Sequence, residues 1–150
     1  YYPRSEEELP AWTSEAGSRI KVVAGAFQEV KGTIPTHTPM DIFWVSQKQG
    51  DRLEFNVASG FNAMLYIVDG GIRLSDDKTY LNKELVLFEQ EGDTVSAVAT
   101  SDCQYIFLAG QPLNEKKVSQ GPFVMNSETE ILQAMRDYQM GKMGILVEEY

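Results

Sequence analysis

Eight short runs of β-branched and aromatic residues, each closed by turn-forming residues, occupy most of the chain between residues 19 and 110. They are RIKVVAG (19–25), DIFWVSQ (41–47), RLEFNV (52–57), AMLYIVDG (63–70), GIRLS (71–75), ELVLFEQ (84–90), DTVSAVAT (93–100) and QYIFLAG (104–110). Strands this short and this closely spaced cannot form a parallel α/β sheet, because no helix-length segment separates them. They predict an antiparallel sandwich or barrel. Alternation is clearest in RLEFNV, where Leu53, Phe55 and Val57 share one face and Arg52, Glu54 and Asn56 the other. VDGG, between the fourth and fifth runs, and QEGD, before the seventh, have the composition of hairpin turns.

One helix is legible, from about 128 to 140. Ser127 is placed to cap it, with Glu130 at the third helical position completing a capping box. Ile131, Ala134, Met135 and Tyr138 then fall on one face, which is expected to pack on the outside of the β-structure. Gly141 is the natural C-terminal stop, with Lys142 beside the negative helix end. The expected organisation is an approach segment (1–18), a β-barrel (19–126) and a C-terminal helix with its tail (127–150).

A chain of 150 residues is long enough for one domain with its own core. Its formal net charge of −9 repels phosphate backbones and anionic membranes, so neither nucleic acid nor membrane is an expected partner. No run is apolar and long enough for a transmembrane helix, and the opening YYPRSEEELP does not read as a signal peptide. The start at Tyr1 suggests a processed product or a piece of something longer. Cys103 is the only cysteine, which excludes an internal disulfide and fits a reducing, cytoplasmic setting, or a nuclear one in a eukaryote. Its place beside a strand run predicts a buried, inert thiol. His37 is the only histidine, so no site built on several imidazoles can form within one copy, and His37 is expected to face solvent or serve structure.

A small β-barrel is similar in scale to a cupin. Cupin metal sites use His-x-His on one strand, because alternate residues face the interior together, and a hairpin returns a carboxylate. Laying the glycine frame of that pattern on Gly50 and Gly70 puts Asn56, Ala58 and Ala63 at ligand positions. A second motif, registered on Gly92, puts Val95 at the last one. None of these is an imidazole or a carboxylate, so a barrel of this kind is expected to be metal-free. DGG at 69–71 lacks the following helix of a phosphate loop, and the acidic pairs at 76–77 and 89–93 lack calcium-loop spacing. Trp12, Trp44, Phe61 and Tyr66 are expected in core packing. Phe55, Tyr66, Phe88 and Tyr105 are the residues expected to line a barrel-interior pocket.

The chain resembles the C-terminal domain of the pirin family at AGQPLNE and at GPFVMNSETEILQAMRDYQMGKMG. Gly110, Pro112, Leu113 and Glu115 match the first motif, and Gly121, Pro122, Phe123, Val124, Met125 and Asn126 the second. Upstream, IKVVAG, THTP and GFNAMLYIVDG are similar to the family's first strand, turn and hairpin. Lys116, Gln120 and Ser127 depart from its pattern, and Ser127 still caps. The resemblance implies a cupin-type (RmlC-like) jelly roll and a bicupin parent. In that parent an N-terminal cupin barrel would hold iron on three His and a Glu. That half would carry quercetin 2,3-dioxygenase activity or iron-dependent transcriptional co-regulation, leaving this half without a cofactor and with the N-terminal domain as its partner. The alternative is a stand-alone module without catalysis, holding a flavonoid-like molecule or a transcription factor. In either case Gly121–Ser127 and Glu130 read as a structural clasp, with Phe123, Val124 and Met125 as its anchors.

Overall fold

The structure, a computed structural model, describes residues 5–144. The chain forms two compact units, divided between Pro112 and Leu113. The first holds strands β1 (Ala11–Thr13), β2 (Arg19–Ala24), β3 (Ala26–Phe27), β4 (Val30–Lys31), β5 (Met40–Gln47) and β6 (Arg52–Asn56). It continues with β7 (Asn62–Asp69), β8 (Gly71–Arg73), β9 (Thr79–Leu81), β10 (Leu85–Phe88), β11 (Thr94–Ala99) and β12 (Cys103–Gly110). The second holds the hairpin β13 (Val118–Gln120) and β14 (Phe123–Met125), followed by helix α1 (Glu128–Gln139). All eight predicted runs are strands. The segment expected to be an approach contributes β1, paired with β2.

Two antiparallel sheets make the first unit: six strands in the order β1-β2-β5-β12-β7-β10 and four in the order β6-β11-β8-β9. The pairs β5·β12, β6·β11, β7·β10 and β8·β9 are nested one inside the next. The chain from Met40 to Gly110 is therefore one long hairpin, rolled so that its four levels alternate between the sheets. This is a jelly-roll sandwich. Among the described residues no ladder joins the two sheets, so the barrel alternative gives way to two open layers.

The rolling corrects both hairpin expectations. β7 and β8 are separated by Gly70 alone and lie in different sheets, as do β10 and β11 on either side of QEGD. These turns are corners between layers. Gly70 has φ 77°. A Cβ there would collide with the Asp102 carbonyl and lie 2.7 Å from the Cys103 Cβ. Only glycine makes that corner without strain.

The inner faces meet in an aromatic stack. The Phe55 ring from β6 lies 4.4 Å from Phe107 of β12, 14° from parallel, and Phe43 of β5 stacks on Phe107 at 5.9 Å. Phe27 joins Phe43 and Phe55 at 5.7 Å, and Trp12 closes the row edge-on to Phe27 at 5.2 Å. Near the far end of β5 the Tyr105 hydroxyl donates to Gln47 Oε1 (2.7 Å), and Gln47 Nε2 donates to the carbonyls of Asp51 (2.8 Å) and Ala97 (3.0 Å). Every strong polar atom of this buried group finds a partner, as interior burial requires.

In the second unit, Ser127 Oγ accepts from Glu130 N–H (3.3 Å), and Glu130 accepts from the Ser127 hydroxyl (2.9 Å) and the Asn126 N–H (3.1 Å). The box thus reaches one residue further back than predicted. Gly141 N–H donates to the Tyr138 carbonyl (3.0 Å) and Lys142 N–H to that of Asp137 (2.9 Å), the bonds of a Schellman stop. Ile131 and Ala134 are buried and Met135 half-buried, but Tyr138 is exposed, so the apolar stripe ends a turn early. No helix among the described residues is long and apolar enough to cross a membrane.

Gly70→Ala is expected to cost about 3 kcal/mol, since it adds backbone collision to an unfavourable φ. Gly92→Ala, at φ 84° but with no atom within 4 Å of the added Cβ, is expected to cost only about 1 kcal/mol. Thermal melts followed by circular dichroism rank the two.

Candidate functional site

β6 and β7 are joined by a tight turn, with Phe61 N–H on the Ala58 carbonyl (3.0 Å), and Val57 N–H donates to Asp93 ahead of β11 (2.7 Å). These bonds draw the end of β6, the start of β7, the end of β10 and the start of β11 around one mouth of the sandwich. The cavity there is about 130 Å³. Ala58, Ala63 and Val95, three of the four residues placed by the glycine frame at ligand positions, line it together, with Phe61 and Phe88 beside them. Asn56 is exposed on the outer face of β6, away from this lining.

The chemistry of this mouth is apolar below and polar at the rim. Glu89, Gln90, Glu91 and Thr94 line its edge, all exposed. Gln90 Nε2 donates to Asn62 Oδ1 at 2.6 Å, tying the β10–β11 corner to β7. Methyl and isopropyl groups at the three framed positions cannot ligate a metal, and the acidic groups of the lining are the exposed rim residues Glu89 and Glu91. Among the described residues no group of three or more His, Cys, Asp and Glu is arranged to hold one. His37 is exposed.

The four residues expected to line an interior pocket do not come together. Phe55 and Tyr105 are completely buried, with rings 6.2 Å apart, and are part of the packed core. Phe88 alone borders the mouth. Tyr66 lies on the opposite face of its strand from Leu65 and Ile67 and is 38% exposed. The strand AMLYIVDG is apolar on both faces, so its inward parity could not be read from hydrophobicity. Trp44, expected in the core, shares the outer face with Tyr66, both flanking Ile106 in the ladder. Trp12 and Phe61 do pack against the core.

At the other end of the strands, Cys103 is buried beside Gln47 and Lys48. Burial, with Asp102 and Asp69 adding to it against the opposing Gln47 backbone, pushes its thiol up to about 11. Asp102 itself lies below the usual carboxylate range, because it accepts from Lys48 Nζ (2.7 Å) and Gln49 N–H (2.9 Å).

The GPFVMNSE clasp is present but built differently. Alternation along β14 half-buries Phe123 and Met125 and turns Val124 outward, 64% exposed, so Val124 is not an anchor. Phe123 meets Tyr138 edge-on at 6.2 Å. The firmest grip is polar: Asn126 Nδ2 donates to Glu115 (2.9 Å) and to the Lys116 carbonyl (3.0 Å), pinning the spacer that leads into β13. Gly121 and Pro122 form the exposed turn of the hairpin.

Comparisons with known proteins agree with this geometry. The family model for the pirin C-terminal cupin domain matches residues 42–144. A pirin-like protein of Solanum lycopersicum is 37% identical over 148 residues, covering 95% of this chain and 51% of that protein. Pirin-1 of Arabidopsis thaliana is 33% identical over 149 residues, covering 96% of this chain and 52% of its own length. A crystal structure of quercetin 2,3-dioxygenase from Acinetobacter baumannii superposes with a TM-score of 0.87 at 29% identity, over 95% of this chain and 50% of that one. The chain thus spans about half the length of the curated relatives it matches.

Phe123→Ala is expected to lower stability by about 1–2 kcal/mol, and Val124→Ala by less than about 0.5 kcal/mol, in urea titrations. Below pH 9 the raised Cys103 pKa keeps its thiolate fraction roughly a hundredfold under that of an unfolded thiol, so native alkylation by iodoacetamide should be slower by at least that factor. Equal rates in native and unfolded protein would contradict the burial.

Proposed function

Since the chain belongs to the pirin family, as its C-terminal cupin domain, we propose that it is the non-catalytic half of a two-domain pirin protein. It packs beside an N-terminal cupin domain and helps shape access to it. That other half carries the iron and the chemistry, of quercetin 2,3-dioxygenase type or in transcriptional co-regulation, in a cytoplasmic or nuclear setting. The observation that carries this reading is the mouth of the sandwich: Ala58, Ala63 and Val95 stand together where a metal cupin needs imidazole and carboxylate. The similarity to the A. baumannii quercetin 2,3-dioxygenase supports the choice of parent activity.

A stand-alone flavonoid-binding module is the weaker reading. Small-molecule sites usually enclose about 300–1,000 Å³, whereas the mouth offers about 130 Å³ and the cavity adjoining it at Phe88 and Val95, beside Leu74 and Tyr80, about 290 Å³. The stacked Phe43, Phe107 and Phe55 rings occupy the interior behind it.

Elemental analysis of the purified chain is expected to find no transition metal at one equivalent, and flavonols are expected to be neither bound nor turned over. One firmly held iron or zinc per chain would overturn the proposal.

A further inference from the structure

The sandwich is open along one side. β10 is an edge of the six-stranded sheet and β9 an edge of the four-stranded one. They meet at the corner between Leu81 and Leu85, where Leu81 N–H donates to the Glu84 carboxylate. Beside that corner a cavity of about 290 Å³ lies between the layers. Val86 and Phe88 line it from β10, and Leu74, Tyr80 and Val95 from the other sheet. Its rim carries Asp76 and Glu89, both exposed. Asp76 accepts from the Tyr80 hydroxyl (2.9 Å) and lies 3.7 Å from Lys78 Nζ, while Arg52 donates to Ser96 Oγ (3.3 Å).

Both strands that border this gap turn backbone groups into it. The bond from Ile67 N–H to the Glu84 carbonyl (3.0 Å) sets the phase of the β7·β10 ladder. Val86 and Phe88 then bond to β7, and the N–H and C=O of Leu85 and Leu87 point to the free edge. On β11, the Asp93 carbonyl accepts from Val57 N–H (2.7 Å) and Ala99 N–H donates to the Asp51 carbonyl (3.2 Å), so odd-numbered residues face β6. Thr94, Ser96 and Val98 face the β8 side. Among the described residues the β8 ladder reaches β11 only at Val98 and Ala99, because the chain turns back between Leu74 and Lys78. The backbone of Thr94 and Ser96 therefore borders the cavity beyond the end of that ladder.

We infer that this gap is a strand-addition site: an extended peptide segment of a partner protein pairs with the Leu85–Leu87 edge of β10, sets one aliphatic or aromatic side chain between Val86, Tyr80 and Val95, and brings a Lys or Arg two residues along to the rim carboxylates. Three observations choose this occupant. First, β10 reads Leu-Val-Leu-Phe and carries none of the lysine, proline or inward charge that blunts a free edge. Its open donors and acceptors match an extended chain, whose main-chain bonds supply affinity while alternate side chains supply specificity. Second, the cavity sits at the lower limit of small-molecule sites, about 300 Å³, and is bounded by strand edges, a shape suited to one side chain of a bound strand. Third, residues i and i+2 of a strand face the same way, so an apolar and a basic residue at that spacing reach the cavity and its rim together. The carboxylates of Asp76 and Glu89 favour the basic residue, and the formal net charge of −9 sets one copy of this chain against another.

Nuclear magnetic resonance of the isotopically labelled 150-residue chain tests this with end-blocked pentapeptides Thr-X-Thr-Lys-Thr, in which X is Leu, Met or Phe. The amide signals of Leu85 and Leu87 and the methyl signals of Val86 and Val95 are expected to shift saturably with at least one of the three. Methylating the backbone nitrogens of the threonines on either side of X, which meet Leu85 and Leu87, should weaken binding about tenfold, and so should Glu in place of the peptide Lys. Leu87→Pro removes an edge N–H but no bond to β7, so it should abolish the shifts and leave the thermal melt nearly unchanged. The double variant Asp76→Lys, Glu89→Lys lies at exposed positions and should reverse the preference, in favour of the Glu peptide. The absence of a saturable shift with all three peptides, or equal affinity for the methylated ones, would overturn the inference. So would a dimer mass by sedimentation that falls to a monomer in Leu87→Pro, which would assign the edge to a second copy.

Discussion

The stack of Phe43, Phe107 and Phe55 is the contact on which the sandwich depends. These rings come from β5, β12 and β6, and only the β6 ring belongs to the four-stranded sheet. Since no ladder joins the sheets among the described residues, their attachment relies on side-chain burial and on the six connections that cross between them. A buried aromatic contributes about 2–3 kcal/mol from area alone, and offset ring pairs add about 0.5–1.5 kcal/mol. The same rings fill the space a ligand would need. Stability and the lack of a roomy interior are two consequences of one packing choice.

The Gln47–Tyr105 group complements the stack. A buried amide without partners would cost about 1–3 kcal/mol. Here it joins Tyr105 of the six-stranded sheet to the Ala97 carbonyl of the four-stranded one. Apolar packing can slide by a residue, but this chain of hydrogen bonds fixes the register of β5, β11 and β12. Nested pairing then transmits that register inward, from β5·β12 through to the β8·β9 turn.

Much of this was legible in the residues, and the failures share one cause. Strand existence followed from composition, and the faces of β6 followed from its alternation. The helix limits followed from Ser127, Glu130 and Gly141, whose effects are local. The β6–β7 turn brings Ala58 and Ala63 to one mouth over a few residues, whereas Val95 joins them only through the β11·β6 ladder and Asn56 faces away. What was not legible was long-range. VDGG looks like a hairpin because its composition encodes a sharp turn, while each flanking strand finds its partners elsewhere, β7 on β10 and β12 and β8 on β9 and β11. Tyr66 was misplaced because AMLYIVDG is apolar on both faces, and Val124 because the short strand β14 gives only one full alternation.

The Tyr66 error is itself informative. A strand whose inward side cannot be told from its outward side has two apolar faces, and the outer one continues across the ladder as Trp44, Ile106 and Tyr66 in a single cross-strand row. The ambiguity that defeats assignment from sequence is the composition of a strand apolar on both faces. β6 supplies the contrast within the same chain, with Glu54 and Arg52 facing water and Phe55 facing the core. Only the sheet that is ambiguous in sequence is apolar outside in structure.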